Sequence, residues 1–104
     1  MSNPFAGEVT LIVDAQPYVC KLTLGALAEL EAGLQTATLV ELVERFEGGA
    51  FSSRDVMALL VAGLRGGGWQ GTSIDLVSAE IAGGPVGAAK VAAELLARAF
   101  AVPG

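Results

Sequence analysis

Cys20, five glutamates and a run of three glycines are the groups in this sequence that invite a chemical reading. The chain has no histidine, so the side chain most used for proton transfer near neutral pH is missing. Cys20 therefore has no imidazole to draw off its proton, and its place in an alternating stretch reads as a small core residue. Glu29, Glu31, Glu41, Glu44 and Glu47 offer carboxylates for acid–base work, yet they fall among the polar positions of two helical stretches and read as a solvated face. One cysteine without histidine is a poor start for a transition-metal site. The segment Leu64-Arg65-Gly66-Gly67-Gly68-Trp69 invites comparison with a phosphate-binding loop. Such a loop needs a Lys followed by Ser or Thr at the opening of a helix, so that charge and hydroxyl meet phosphate and magnesium. Here Gln70-Gly71 follow the Trp and the segment closes a helix, which reads as a C-cap and a sharp turn. The expectation is a protein that is not an enzyme and uses no cofactor and no metal.

The elements that position these residues are legible from the periodicity. Val9, Leu11 and Val13 alternate with polar or outward residues, turn chemistry follows at Asp14-Ala15-Gln16-Pro17, and Tyr18, Cys20, Leu22 and Leu24 alternate again. A β-hairpin across roughly Glu8–Leu24 is expected, its register left open because the turn lacks Asn-Gly. From Thr23 the period changes to that of helices. Thr23 caps a first helix carrying Leu27, Leu30 and Leu34, and Thr38-Leu39-Val40-Glu41 fits a capping box for a second. Ser52-Ser53-Arg54-Asp55 opens a third, whose body Val56–Ala62 is apolar on every side, and the helix Arg54–Leu64 is expected to be the most buried element. Thr72-Ser73-Ile74-Asp75 opens a fourth with Ile74, Val77 and Ile81. Pro85 then sits in the first turn of a fifth that carries one charged stripe, Lys90, Glu94 and Arg98. The fold class expected is α+β, mostly α: an N-terminal hairpin followed by about five short helices, in a single domain over residues 1–104.

Composition turns the reading from catalysis to association. Apolar residues make up 53% of the chain and charged residues only 16%, so some apolar side chains should reach the surface and mark a partner site. The net charge is −5 and the six basic residues are scattered, which argues against direct contact with nucleic acid or with an anionic membrane surface. The longest unbroken apolar run is far short of the roughly 20 residues that span a bilayer. No basic, apolar leader opens the sequence, so the cytoplasm is the expected compartment.

Candidate partner-binding residues follow from the last helix and the aromatics. Val91 and Leu95 lie four apart on one side of that helix, with Leu96 and Phe100 on another, so that one pair can face the core and the other a partner. Phe51 and Trp69 stand near loops, where large rigid rings serve either as core or as interface anchors. Val91, Leu95, Phe51 and Trp69 are therefore the residues expected to bind partners, and self-association is expected.

Three stretches also carry a family resemblance: Lys21-Leu22-Thr23-Leu24-Gly25-Ala26-Leu27-Ala28-Glu29-Leu30-Glu31, Leu42-Val43-Glu44-Arg45-Phe46-Glu47-Gly48-Gly49-Ala50-Phe51-Ser52-Ser53-Arg54-Asp55, and Ala62-Gly63-Leu64-Arg65-Gly66-Gly67-Gly68-Trp69. Together with the opening Asn3-Pro4-Phe5-Ala6-Gly7-Glu8-Val9, they resemble the small tail protein of alphaproteobacterial gene transfer agents, encoded between the major tail protein and the tape-measure protein. In long-tailed phages that position implies a tail-assembly chaperone, which coats the tape-measure protein until tail-tube subunits displace it. The family has also been labelled a tail-tube protein, which implies a structural component retained in the particle. The small strand content agrees better with the chaperone, because a tube subunit is normally built around a large β-sandwich or barrel. The resemblance thus implies the tape-measure protein, and the tail-tube protein, as partners.

Overall fold

The computed structural model describes residues 6–34 and 38–100. Strands β1 (Glu8–Val13) and β2 (Gln16–Lys21) form an antiparallel hairpin, followed by helices α1 (Leu24–Gly33), α2 (Leu39–Gly48), α3 (Ser53–Gly66), α4 (Ser73–Val77) and α5 (Gly84–Ala99). This is the mostly helical α+β architecture that the change of period at Thr23 predicts.

The hairpin register pairs Val13 with Gln16 and Glu8 with Lys21. Asp14 and Ala15 both have positive φ, 49° and 65°, the backbone of a type I′ turn whose twist matches the flanking strands. Tertiary hydrogen bonds hold this strained corner: the Asp14 N–H donates to the Glu80 carbonyl at 2.8 Å, and the Asp14 carboxylate accepts from the Glu80 N–H at 2.9 Å. In this register Pro17 stands opposite Ile12 in a pair that exchanges no ladder bonds, so its missing N–H costs the hairpin nothing. Val9, Leu11, Val13 and Cys20 turn inward and are buried.

Ile81 departs from expectation. It does not extend the apolar face of α4, which ends at Val77, but forms an antiparallel bridge to Val13, with the Ala82 N–H donating to the Ile12 carbonyl at 3.1 Å. Within α4 the buried residue is Leu76, whereas Ile74 and Val77 are 80% and 72% exposed. The cause is local: a five-residue helix capped by the Asp75 carboxylate, which accepts from the Thr72 N–H at 2.8 Å, is too short to carry a stripe as far as Ile81.

Helix α3 carries more buried residues than any other described element, as expected, though it is not buried on every side. Its residues Asp55, Leu59, Leu60, Ala62, Gly63 and Leu64 are buried, and it packs against β2, α1, α4 and α5. Val56, Met57, Ala58 and Val61 remain half-buried, so its all-round apolar surface is not covered all round. The α3 C-terminus docks on the outer edge of β2. A Cβ on Gly66 would strike the Lys21 carbonyl oxygen, and one on Gly67 the Val19 carbonyl oxygen. The glycine run is therefore more than a stop signal, because glycine alone lets helix and strand backbones meet this closely.

Helix α2 joins the rest through side chains. Leu42 is fully buried, Phe46 stacks on Phe51 with centroids 4.4 Å apart, and Arg45 pairs with Asp55 at 3.2 Å. Thr38 Oγ1 accepts from the Glu41 N–H at 3.2 Å, but the Glu41 carboxylate does not return the bond, so only half of the expected capping box forms. The Ser52–Asp55 box of α3 closes fully: Ser52 Oγ accepts from the Asp55 N–H and Asp55 Oδ2 from the Ser52 N–H. The hairpin and the helices contribute to one hydrophobic cluster.

Candidate partner-binding surface

Helix α5 sets the geometry of this surface, since it packs on β1, β2 and α3. Ala88, Ala92, Leu95 and Leu96 form its inner side. Leu95 is 1% exposed, against Gly63 and the neighbouring Cys20, and so belongs to the core of the folded chain. The expectation that Leu95 and Val91 share an outward face is corrected accordingly: Leu95 points inward, and Val91 beside it is half-buried. Leu96 is buried as well, whereas Phe100 at the helix end is 45% exposed. The two pairs considered from sequence are thus split by the structure, one residue of each being core.

Phe51 and Trp69 are both half-buried. The Phe51 ring, stacked on Phe46, walls an apolar cavity of about 300 Å³ that Val56, Met57, Leu60 and Ala89 also line. Trp69 lies folded over Gly71, where any side chain would collide with the indole, and the Trp69 backbone N–H donates to the Leu64 carbonyl at 2.9 Å. Phe51 therefore stands at the candidate surface, while Trp69 closes the turn after α3.

Exposed apolar groups that the sequence reading did not single out cluster around α4 and the start of α5. Val86 is 80% exposed, Ile74 80%, Val77 72% and Ile12 42%. Ile12, Val77 and Ile81 line a second cavity of about 710 Å³, which shares Met57, Leu76, Pro85 and Ala88 with the first. A third, of about 370 Å³, lies between α2 and the end of α5, lined by Val43, Phe46, Ala93, Ala97 and Phe100. The sequence signal for Val86 was slight, because on a helix whose residues are mostly apolar the outward side is set by where the first turn begins.

The electrostatics are plain. Arg45, Arg65 and Arg98 each face a carboxylate, Asp55, Glu29 and Glu94 respectively. Burial pushes the Cys20 thiol up to about 12, so it stays protonated at neutral pH. Among the described residues no three His, Cys, Asp or Glu side chains converge as a metal site would require, and no helix is long and apolar enough to cross a membrane. The arrangement offers apolar cavities beside exposed helix faces, the chemistry of a protein contact.

Neither the curated proteins nor the solved structures provide a match to this chain. A family model described as "Phage tail tube protein, GTA-gp10" matches residues 6–102, nearly the whole length. The chain, whose described residues form a hairpin and five helices with an apolar surface, belongs to this family of phage and gene-transfer-agent tail proteins.

Proposed function

We propose that the chain is a structural subunit of a phage-like tail, bound to other tail proteins through its apolar helix faces and retained in the finished particle. The observation that carries this reading is the exposed apolar surface around Val86, Val77 and Phe51, in a chain whose family is described as tail-tube protein. A net charge of −5 with scattered basic residues supports protein rather than nucleic-acid or membrane partners. The subunit folds in the cytoplasm of the producing cell and leaves it within the particle. Quantitative mass spectrometry of purified particles tests this. The expected result is a fixed copy number beside the other tail proteins, and absence from complete tails overturns it.

A specific observation favours a second reading, a transient chaperone for the tape-measure protein. The hairpin offers little sheet to a neighbour: the Ile81 segment occupies one edge at the turn end, and the α3 C-terminus lies against the other. Subunits of this shape join by helix faces rather than by a continuous sheet, and an apolar groove suits a long helical client. Under this reading the tape-measure protein co-purifies with the chain from cells lacking the tail-tube protein, and finished tails do not contain the chain.

A further inference from the structure

We propose that two copies of this chain form a two-fold dimer through α5, each Phe100 seated in the Phe51-lined cavity of the other copy. The inference holds whichever fate the chain has in tail assembly. One face of α5 is unpartnered among the described residues. Val86, Ala89, Ala93, Ala97 and Phe100 follow one another at intervals of three, four, four and three residues. At about 100° per residue they fall within one arc of roughly 80°. Val86, Ala93, Ala97 and Phe100 are exposed and Ala89 is half-buried, so among the described residues this face is left uncovered.

The spacing is symmetric about Ala93. Antiparallel contact of two such faces sets Ala93 against Ala93, Ala89 against Ala97, and Val86 against Phe100. A residue pair that is reciprocal in this way is what a two-fold interface requires. The alanines at the centre let the helix axes approach to the short end of the usual 8–10 Å range.

Two cavities meet the large residues at the ends of the face. Beside Pro85, Ala88 and Ala89 lies the apolar cavity of about 300 Å³ walled by Phe51, Val56 and Leu60, large enough for one aromatic ring. In antiparallel register this is where the second copy's Phe100 arrives. Beside Ala93, Ala97 and Phe100 lies the cavity of about 370 Å³ walled by Val43 and Phe46, where the second copy's Val86 arrives. A partly exposed Phe at a helix end, matched to an apolar cavity on the same molecule, leaves exposed in the monomer what the dimer buries.

Charge agrees with the same geometry. Lys90 lies on the solvent flank of the face and forms no ion pair among the described residues, while Glu94 on that flank pairs with Arg98 at 3.6 Å. A two-fold axis through Ala93 turns the same flank of both helices to one side. Lys90 of one copy then stands beside Glu94 of the other, offset along the axis by about two residues, or roughly 3 Å. Two such pairs form, one on each side of the axis.

Site-directed disulfide formation in the full chain tests the register, because the native Cys20 is fully buried. Ala93→Cys is expected to oxidise to a covalent dimer. Ala89→Cys and Ala97→Cys are expected to cross-link when mixed, and neither with itself. Sedimentation equilibrium supplies a second measurement. The wild type is expected to dimerise, Phe100→Asp to loosen the dimer by about 30-fold or more, as for an interface hot spot, and Lys90→Glu with Glu94→Lys to associate better than either single change. A wild type that stays monomeric at millimolar concentration overturns the proposal, as does self-cross-linking of Ala89→Cys in preference to Ala93→Cys. These results concern the isolated protein, so a failed dimer leaves the particle measurement untouched, and a chain missing from particles leaves the dimer standing.

Discussion

Replacing Asp55 by Ala is the most informative single perturbation of the fold. Its carboxylate is buried, with 8% of the side chain exposed, and does two things at once. Oδ2 accepts from the Ser52 N–H at 2.9 Å and so caps α3, while Oδ1 faces Arg45 Nη2 at 3.2 Å and so ties α2 to α3. The bond to the backbone is charge-assisted and contributes about 1.5–3 kcal/mol. The ion pair adds less than a fully buried one, since the Arg45 side chain is 36% exposed; we take about 0.5–1 kcal/mol for it. The sum is a loss of about 2–4 kcal/mol. Asp75 supplies an internal control, because it makes the same bond to the Thr72 N–H at 2.8 Å in an exposed setting without an ion pair. Asp75→Ala should cost only about 0.5–1 kcal/mol, the lower part of the range for a lost cap. Asp55→Asn keeps an acceptor for Ser52 but loses the charge, and should fall between the two. Urea melts followed by circular dichroism measure all three. If Asp55→Ala and Asp75→Ala cost the same, burial and the Arg45 contact contribute nothing, and the attachment of α2 must rest on Leu42 and the Phe46–Phe51 stack alone.

Three further outcomes are expected. Gly66→Ala should cost about 3 kcal/mol in a urea melt, because the added methyl meets a fixed backbone carbonyl, whereas Gly48→Ala, with nothing within 4 Å, should be neutral or stabilising. Ala15→Gly should raise the melting midpoint by the equivalent of about 1 kcal/mol, since Ala15 holds a φ of 65° that glycine adopts without strain; a loss of stability would show that the corner is unstrained. Cys20 should resist thiol reagents until the chain unfolds. Its folded pKa of about 12 lies above the ordinary 9.0, so the unfolded chain ionises first. Stability should then be intact below pH 9 and fall as the pH rises from there toward 12, which alkaline titration of the far-ultraviolet signal measures.

Much of the architecture was legible because it rests on local rules. Thr23, Ser52 and Thr72 mark helix starts by cap chemistry, and the alternation of Val9, Leu11 and Val13 with Thr10 and Ile12 marks a strand whatever surrounds it. What was not legible depends on contacts between distant segments. Ile81 follows helical spacing from Ile74 and Val77, but the helix stops at Val77, and the segment beyond it bridges β1 and is fastened there by the Asp14–Glu80 hydrogen bonds. Gly66 and Gly67 read as a stop signal because the β2 carbonyls they accommodate stand more than forty positions earlier in the chain. The candidate surface was half legible for a related reason. A helix that is apolar nearly all round does not reveal which side its neighbours take, so its sequence pairs Leu95 with Val91 and gives no sign that Val86 faces outward. Phe51 stands out in the sequence as a bulky aromatic near a loop, and in the structure it walls the apolar cavity.

The tether between the hairpin turn and Glu80 has a consequence for how the chain comes off the ribosome. Asp14 and Glu80 are 66 residues apart, and the helix that covers the inner face of β1 begins only at Gly84. Translation at about 5–20 residues per second leaves several seconds in which the hairpin exists without its fastening or its cover. During that interval Val9, Leu11 and Val13 face solvent, and the edge of β1 that the Ile81 segment later takes is open to any extended polypeptide nearby. The nascent chain is therefore most prone to mispairing until the segment around Glu80 has emerged. Stalled ribosome complexes carrying residues 1–79 ahead of a tunnel-filling linker should be far more sensitive to protease at the hairpin than complexes that display α5 in full ahead of the same linker. The glycines at positions 83 and 84, both with positive φ, swing α5 back over the strands and bring that exposure to an end.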